Sequence, residues 1–227
     1  NSKSQYSKYY TLLSNYELAS GTDEKEFWNL GYLSMKVERY ASAIRYLKKA
    51  SEKQSSVDLS NLLISAYVNI GEFEEALKIV SRMPKKDKIT ECFAAESHLV
   101  LNGVRRAGDK FASLVSDIGG YSQACGDYLN KIVGDYYFER KEYAVALPFY
   151  EAYTKVYAHD GRIFNRMSQI YSASGETKSA KEYAEYAVSE VQKSIDNANA
   201  TIAFYEQKNL KEDAAALQKR LKLIELK

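Results

Sequence analysis

Two histidines, two cysteines and scattered carboxylates are the residues with which this chain could do chemistry. His98 falls in an apolar-periodic stretch and His159 in the turn "AHDGR". Neither has a second histidine or cysteine at the i, i+4 spacing that lets one helix face grip a metal. "SDIGGY" (Ser116–Tyr121) pairs two glycines but lacks the lysine and the preceding strand of a phosphate cradle. No G-x-S-x-G, Walker loop or GxGxxG is present. Carboxylate pairs such as Glu74 and Glu75 fall at helix starts, where the helix dipole favours negative charge. Cys92 and Cys125 could pair or stay reduced; two thiols in a chain this long do not make a disulfide scaffold, and unlinked, buried helical thiols are expected. The expectation is no catalytic residue, no metal and no cofactor: not an enzyme.

The elements behind these residues read as helices. Only two prolines and 11 glycines punctuate 227 residues, which favours long helices over many short strands. No apolar run approaches a membrane span. A net charge of +2 argues against a nucleic-acid partner held by gross charge. The unusual count is 20 tyrosines against eight phenylalanines, since tyrosine suits surfaces half packed and half wet. The chain starts at Asn1 without an apolar leader. A cytoplasmic location is the default, with a removed leader or membrane anchor upstream left open.

The chain also repeats itself. "NIGEFEEALKIV" (Asn69–Val80) echoes "KVERYASAIRYL" (Lys36–Leu47), with Ala43 and Ala76 in step at a period of 33. "FERKEYAVALPFY" (Phe138–Tyr150) and "SASGETKSAKEYA" (Ser172–Ala184) align through Ala146 and Ala180 at a period of 34. Such periods belong to arrays of paired helices. Phe27, Leu30, Gly31, Tyr40, Ala43 and Ala50 make up the first unit. Leu63, Tyr67, Gly71, Phe73 and Ala76 make up the second. Val133, Gly134, Tyr137, Tyr143 and Ala146 make up a later one, followed by Phe164, Met167, Ser168, Tyr171, Gly175, Ala180 and Ala187. With this pattern the chain resembles the tetratricopeptide repeat family. Ser34 stands where that family has tyrosine, Gly108 takes the small position of a weaker unit, and Pro148 is expected in the first turns of a second helix.

The resemblance implies an all-α, right-handed superhelical solenoid of antiparallel helix pairs. An N-terminal helix (1–21, closed by Gly21) precedes an array over 22–193, in units of about 24–56, 57–87, 88–119, 127–160 and 161–193. A capping pair at 194–227 completes one continuous domain, which the sequence leaves open to being a fragment of a longer chain. Glycine in a helix costs about 0.5–1 kcal/mol. Gly31 and Gly134 are expected to accept that cost because a partner helix crosses closely there, near Ala43 with Tyr40 and near Ala146 with Tyr143.

The family's groove positions map onto Lys25, Trp28, Asn29, Tyr32 and Lys36, then Asn61, Ser65 and Asn69. In later units they map onto Tyr128, Lys131, Asp135 and Glu139, then Arg162, Asn165, Arg166 and Gln169. The sole tryptophan on such a face would anchor a partner. Lys131, Arg162 and Arg166 could together hold a carboxylate. The family's clamp for chaperone C-terminal tails is kept only in pieces: Asp135 stands where Lys131 should have a neutral partner, and both arginines fall one unit further on. The resemblance implies a protein-binding module that takes a peptide or partner helix in its groove. The alternative is an oligomeric component of a larger assembly, including one at the cell envelope, packing by its convex face or ends. No nucleic-acid partner is expected.

Overall fold

The computed structural model describes residues 8–9, 11–15, 24–53 and 55–224. Among these the secondary structure is helical: α1 (Glu24–Lys36), α2 (Tyr40–Ser51), α3 (Val57–Asn69), α4 (Phe73–Arg82), α5 (Lys88–Ser116), α6 (Ile118–Cys125), α7 (Tyr128–Glu139), α8 (Tyr143–Val156), α9 (Gly161–Ala173), α10 (Thr177–Gln207) and α11 (Lys211–Ile224). This is an all-α architecture of successive helix pairs. Two compact units divide the chain: residues 1–90 with 200–220, and residues 91–199 with 221–227. Helix α10 is shared, passing from the second unit to the first at Ala200. The expected N-terminal helix is helical at 8–9 and 11–15, where Leu13 is fully buried against Leu30, Leu33 and Val37; its remainder and Gly21 lie outside the described residues.

One turn recurs through both units. A residue with positive φ follows α1, α3, α7, α9 and α10: Glu38, Gly71, Lys141, Gly175 and Asn209. The next amide N–H then reaches back five residues. Arg39 N donates to Ser34 O (2.9 Å), Glu72 N to Tyr67 O (2.9 Å), Glu142 N to Tyr137 O (2.9 Å), Glu176 N to Tyr171 O (2.9 Å) and Leu210 N to Tyr205 O (2.8 Å). The left-handed residue frees the orphan carbonyls of a helix end to be capped by the returning chain. Tyr67, Tyr137, Tyr171 and Tyr205 therefore supply the closing carbonyl in four of these turns, and Ser34 supplies it in the first.

The close crossings are present, one turn beyond the expected register. A Cβ on Gly31 would stand 2.5 Å from Leu47 Cγ and Cδ2. One on Gly134 would stand 2.6 Å from Tyr150 Cε1. In both pairs the contact falls four residues after the alanine proposed from sequence, because successive turns of a helix face are four residues apart. Ala43 and Ala146 are themselves fully buried. Gly161, which the repeat pattern does not single out, is equally tight against Ala187 O and Val191. In the weaker unit Ala107, not Gly108, is the fully buried small residue. Pro148 lies in the second turn of α8.

Two further differences concern helix breaks and thiols. α10 runs unbroken through 194, where the sequence reading begins a new pair, because no Gly or Pro interrupts Thr177–Gln207. α5 does break, at Gly103 (φ 69°), without an intervening loop. Cys92 and Cys125 are joined as a disulfide, not free thiols as expected. Spacing alone says nothing about which helix faces meet. In the second unit the bond ties the start of the irregular segment to its end, beside a core of Phe111, Leu114, Tyr121 and Leu129.

Candidate functional site

In the first unit, α1 carries a ladder of the groove candidates. Trp28 is 37% exposed and stacks on Tyr32 with ring centroids 5.4 Å apart and planes 5° from parallel. Lys36 Nζ lies 5.1 Å from the Tyr32 centroid. The i, i+4, i+8 spacing puts all three on one helix face, and the inward positions Leu30, Leu33 and Val37 hold that helix in the core. Beside Trp28 opens a cleft of about 340 Å³, lined by Lys25, Asn29, Ala50, Ser56, Asp58 and Leu59. Its far wall is the start of α3, fixed by Ser56, whose Oγ accepts the Leu59 N–H at 3.1 Å as an N-cap. The wall residues Ser56 and Asp58 escape a groove rule based on first-helix positions; the signal for them is the cap motif "SSVD".

The other first-unit candidates are turned to internal bonding. Asn61 is buried; its Nδ2 donates to both Asp87 oxygens (3.1 and 3.0 Å) and its Oδ1 accepts from Thr90 Oγ1 at 2.8 Å. Asp87 also accepts the Thr90 N–H at 2.8 Å, so this network builds the start of α5. Burial works to raise the Asp87 pKa, but these hydrogen bonds outweigh it and hold the carboxyl below its usual range. Ser65 is half-buried, and its carbonyl accepts from Asn69 Nδ2 at 2.9 Å.

In the second unit the structure brings the charged groove candidates together in a line of alternating sign. Lys131 Nζ donates to Glu96 Oε1 at 2.7 Å and to Asp135 Oδ2 at 3.3 Å. Asp135 Oδ1 accepts from Tyr150 Oη at 2.9 Å and from Arg166 Nη1. Arg166 Nη2 reaches Glu139 at 3.2 Å, and its guanidinium lies 5.0 Å from the Phe138 ring centroid. Tyr128 Oη donates to Glu96. Burial pushes the Asp135 pKa up, but the Lys131 and Arg166 cations overcome it and keep the carboxyl below its usual range. Lys131 is raised despite its own burial, by Glu96 and Asp135. A carboxylate is thus held between Lys131 and Arg166, and it is the chain's own Asp135. Glu96 is the member the sequence reading did not name; it lies on the weaker unit's first helix. Arg162 pairs with Asp160 at 3.6 Å. Asn165 is half-buried and Gln169 exposed.

His98 meets Asn102 at 3.3 Å and His159 meets Glu190 at 2.8 Å. Among the described residues no three His, Cys, Asp or Glu side chains are grouped to hold a metal, and no helix is long and apolar enough to cross a membrane.

Residues 34–90 match the sequence profile of the tetratricopeptide repeat. No curated protein sequence matches the chain. A solved structure titled MamA MSR-1 C2 aligns at a TM-score of 0.48 and 13% identity, covering 75% of this chain and 98% of that one. The matched segment contains the turns at Glu38 and Gly71, whose geometry recurs at Lys141, Gly175 and Asn209.

Proposed function

We propose that this chain is a non-catalytic protein-binding module, taking an extended peptide or a partner helix along α1 and into the cleft between α1 and the start of α3. The supporting observation is the Trp28–Tyr32 stack, with a partly exposed tryptophan beside a 340 Å³ cleft rimmed by Lys25, Asn29 and Asp58. A partly exposed aromatic next to a concavity offers a large rigid contact area at little entropic cost. Tryptophan and tyrosine dominate interface energetics for this reason. The second-unit groove positions are a poorer receptor. Lys131, Asp135 and Arg166 already neutralise one another, and a ligand would have to break those pairs to use them.

The test uses the chain's single tryptophan. A random peptide library is selected against the immobilised full chain, and selected peptides are titrated while Trp28 emission is recorded. Saturable shifts are expected in the wild type. A labelled peptide read by anisotropy should lose at least about tenfold in affinity with Trp28→Ala and little with Arg166→Ala. Selection of no convergent peptide, or equal binding by Trp28→Ala, rejects the cleft.

A further inference from the structure

A second cleft adjoins the first. Ser56, which walls the cleft beside Trp28, also lines a cavity of about 270 Å³ bounded by the end of α4. The sequence sets its shape. Met83 precedes Pro84, and a proline ring disfavours helical backbone at the residue before it. Met83 accordingly takes an extended conformation (φ −70°, ψ 124°) and ends α4. Lys85 then joins Arg82 at the same cavity, whose apolar lining includes Leu63, Ile79 and the buried Met83.

The two clefts differ in charge. The first has one cation, Lys25, and one acid, Asp58, in its lining. The second has Arg82 and Lys85 and no acid. Among the described residues neither of these cations makes a hydrogen bond or an ion pair. The acids nearest them in sequence are engaged elsewhere: Glu75 with Lys78 Nζ at 2.5 Å, and Asp87 with Asn61 at 3.0 Å and the Thr90 N–H at 2.8 Å. Arg82 stands in the last turn of α4, where the helix dipole favours a cation; Lys85, past the helix, has no such local reason. A cleft lined by one sign of charge over apolar walls focuses its field on whatever enters. Two serines line it as well. Ser51 Oγ donates to Lys48 O at 2.7 Å and Ser60 Oγ to Ser56 O at 2.9 Å, which commits their protons and leaves their lone pairs for an incoming N–H.

We infer that the ligand is an acidic segment of another protein, extended across Ser56, with an apolar residue on Trp28 and Asp or Glu side chains on Arg82 and Lys85. The inference rests on the reading of the Trp28 cleft as the peptide site. Continuity through Ser56 is what points to a polypeptide, because one chain can fill both clefts. Its carboxylates answer the unpaired cations, its main-chain N–H groups the serine oxygens, and its apolar side chains the Leu63 and Ile79 lining.

The experiment immobilises the full chain and its Arg82→Glu/Lys85→Glu variant and selects the same random peptide library against each. Both side chains are exposed, and circular dichroism checks that the variant keeps the wild-type helix content. Should it not, Arg82→Gln/Lys85→Gln carries the same comparison. The wild type should enrich Asp and Glu and the charge-reversed variant Lys and Arg, with an apolar or aromatic residue common to both sets. Labelled peptides selected on the wild type should lose about tenfold in affinity on the charge-reversed variant. On the wild type they should weaken as sodium chloride rises from about 50 to about 300 mM. Peptides that depend on Trp28 but carry no acidic enrichment, or that bind the charge-reversed variant equally, overturn this inference and leave the Trp28 cleft standing. Acidic peptides that feel the charge reversal yet bind Trp28→Ala unchanged uphold the acidic class and reject the Trp28 cleft. No convergent peptide overturns both, and pelleting of the wild type but not the variant with phosphatidylserine vesicles then assigns the cations to a lipid surface.

Discussion

Asp213 holds the start of the helix that begins at Tyr40, through Arg39 and Ser42, with both members of the ion pair 2% exposed. Removing one partner strands a buried charge. Asp213→Ala is expected to cost about 3–5 kcal/mol, measured by urea denaturation followed by circular dichroism. Replacing both, Arg39→Met with Asp213→Leu, should cost much less than the sum of the single changes, and a double-mutant cycle reads the difference.

Glycines in this fold divide by what surrounds them. Gly31→Ala places a methyl 2.5 Å from Leu47 Cγ. It should destabilise by about 1–3 kcal/mol through overpacking. Gly119 lies in α6 with nothing within 4 Å of its would-be Cβ. Gly119→Ala should stabilise by about 0.5–1 kcal/mol through lower backbone entropy in the unfolded chain. Thermal melts of the two variants should therefore move in opposite directions.

The disulfide joins residues 33 apart in sequence. A loop of that size is stabilised by about 3–4 kcal/mol when closed. Reduction with dithiothreitol, or Cys92→Ser with Cys125→Ser, should lower the melting temperature. The Trp28 emission spectrum of the folded protein should stay unchanged, because the bond lies in the other unit.

Asp135 gives the second unit an acid sensitivity with a definite sign. Its carboxyl is held below the usual range in the folded state by Lys131 and Arg166, against its burial. Its contribution is therefore complete above the unfolded carboxylate value near about 4 and is lost as pH falls through the lower folded value. Stability from urea melts should decline between about pH 5 and 2. Asp135→Asn should flatten that decline while costing stability at neutral pH.

The repeat architecture is legible because its signals are local. Gly31, Ala43, Gly134 and Ala146 report a close crossing through their own size, and Gly71 and Gly175 report the turn through their own backbone preference. What the sequence hides is pairing at a distance. Gly31 meets Leu47, one turn past the residue its alignment suggests, because the period fixes the spacing of repeats but not the axial offset of two helices. Lys131 and Arg166 are recognisable as carboxylate binders, yet nothing local says that Asp135 and Glu96 fill them. The bond between Cys92 and Cys125 and the reach of Asp213 to Arg39 depend on which helix faces meet, and no motif encodes that.

The bond between Cys92 and Cys125 encloses the break at Gly103, an exposed residue with a left-handed backbone inside α5. Such a bend is where a protease would enter. A cut there opens the polypeptide without parting it: the two fragments stay covalently joined, migrate together on a non-reducing gel and separate only when thiol is added. The kinked segment can be nicked and the array still remain one molecule.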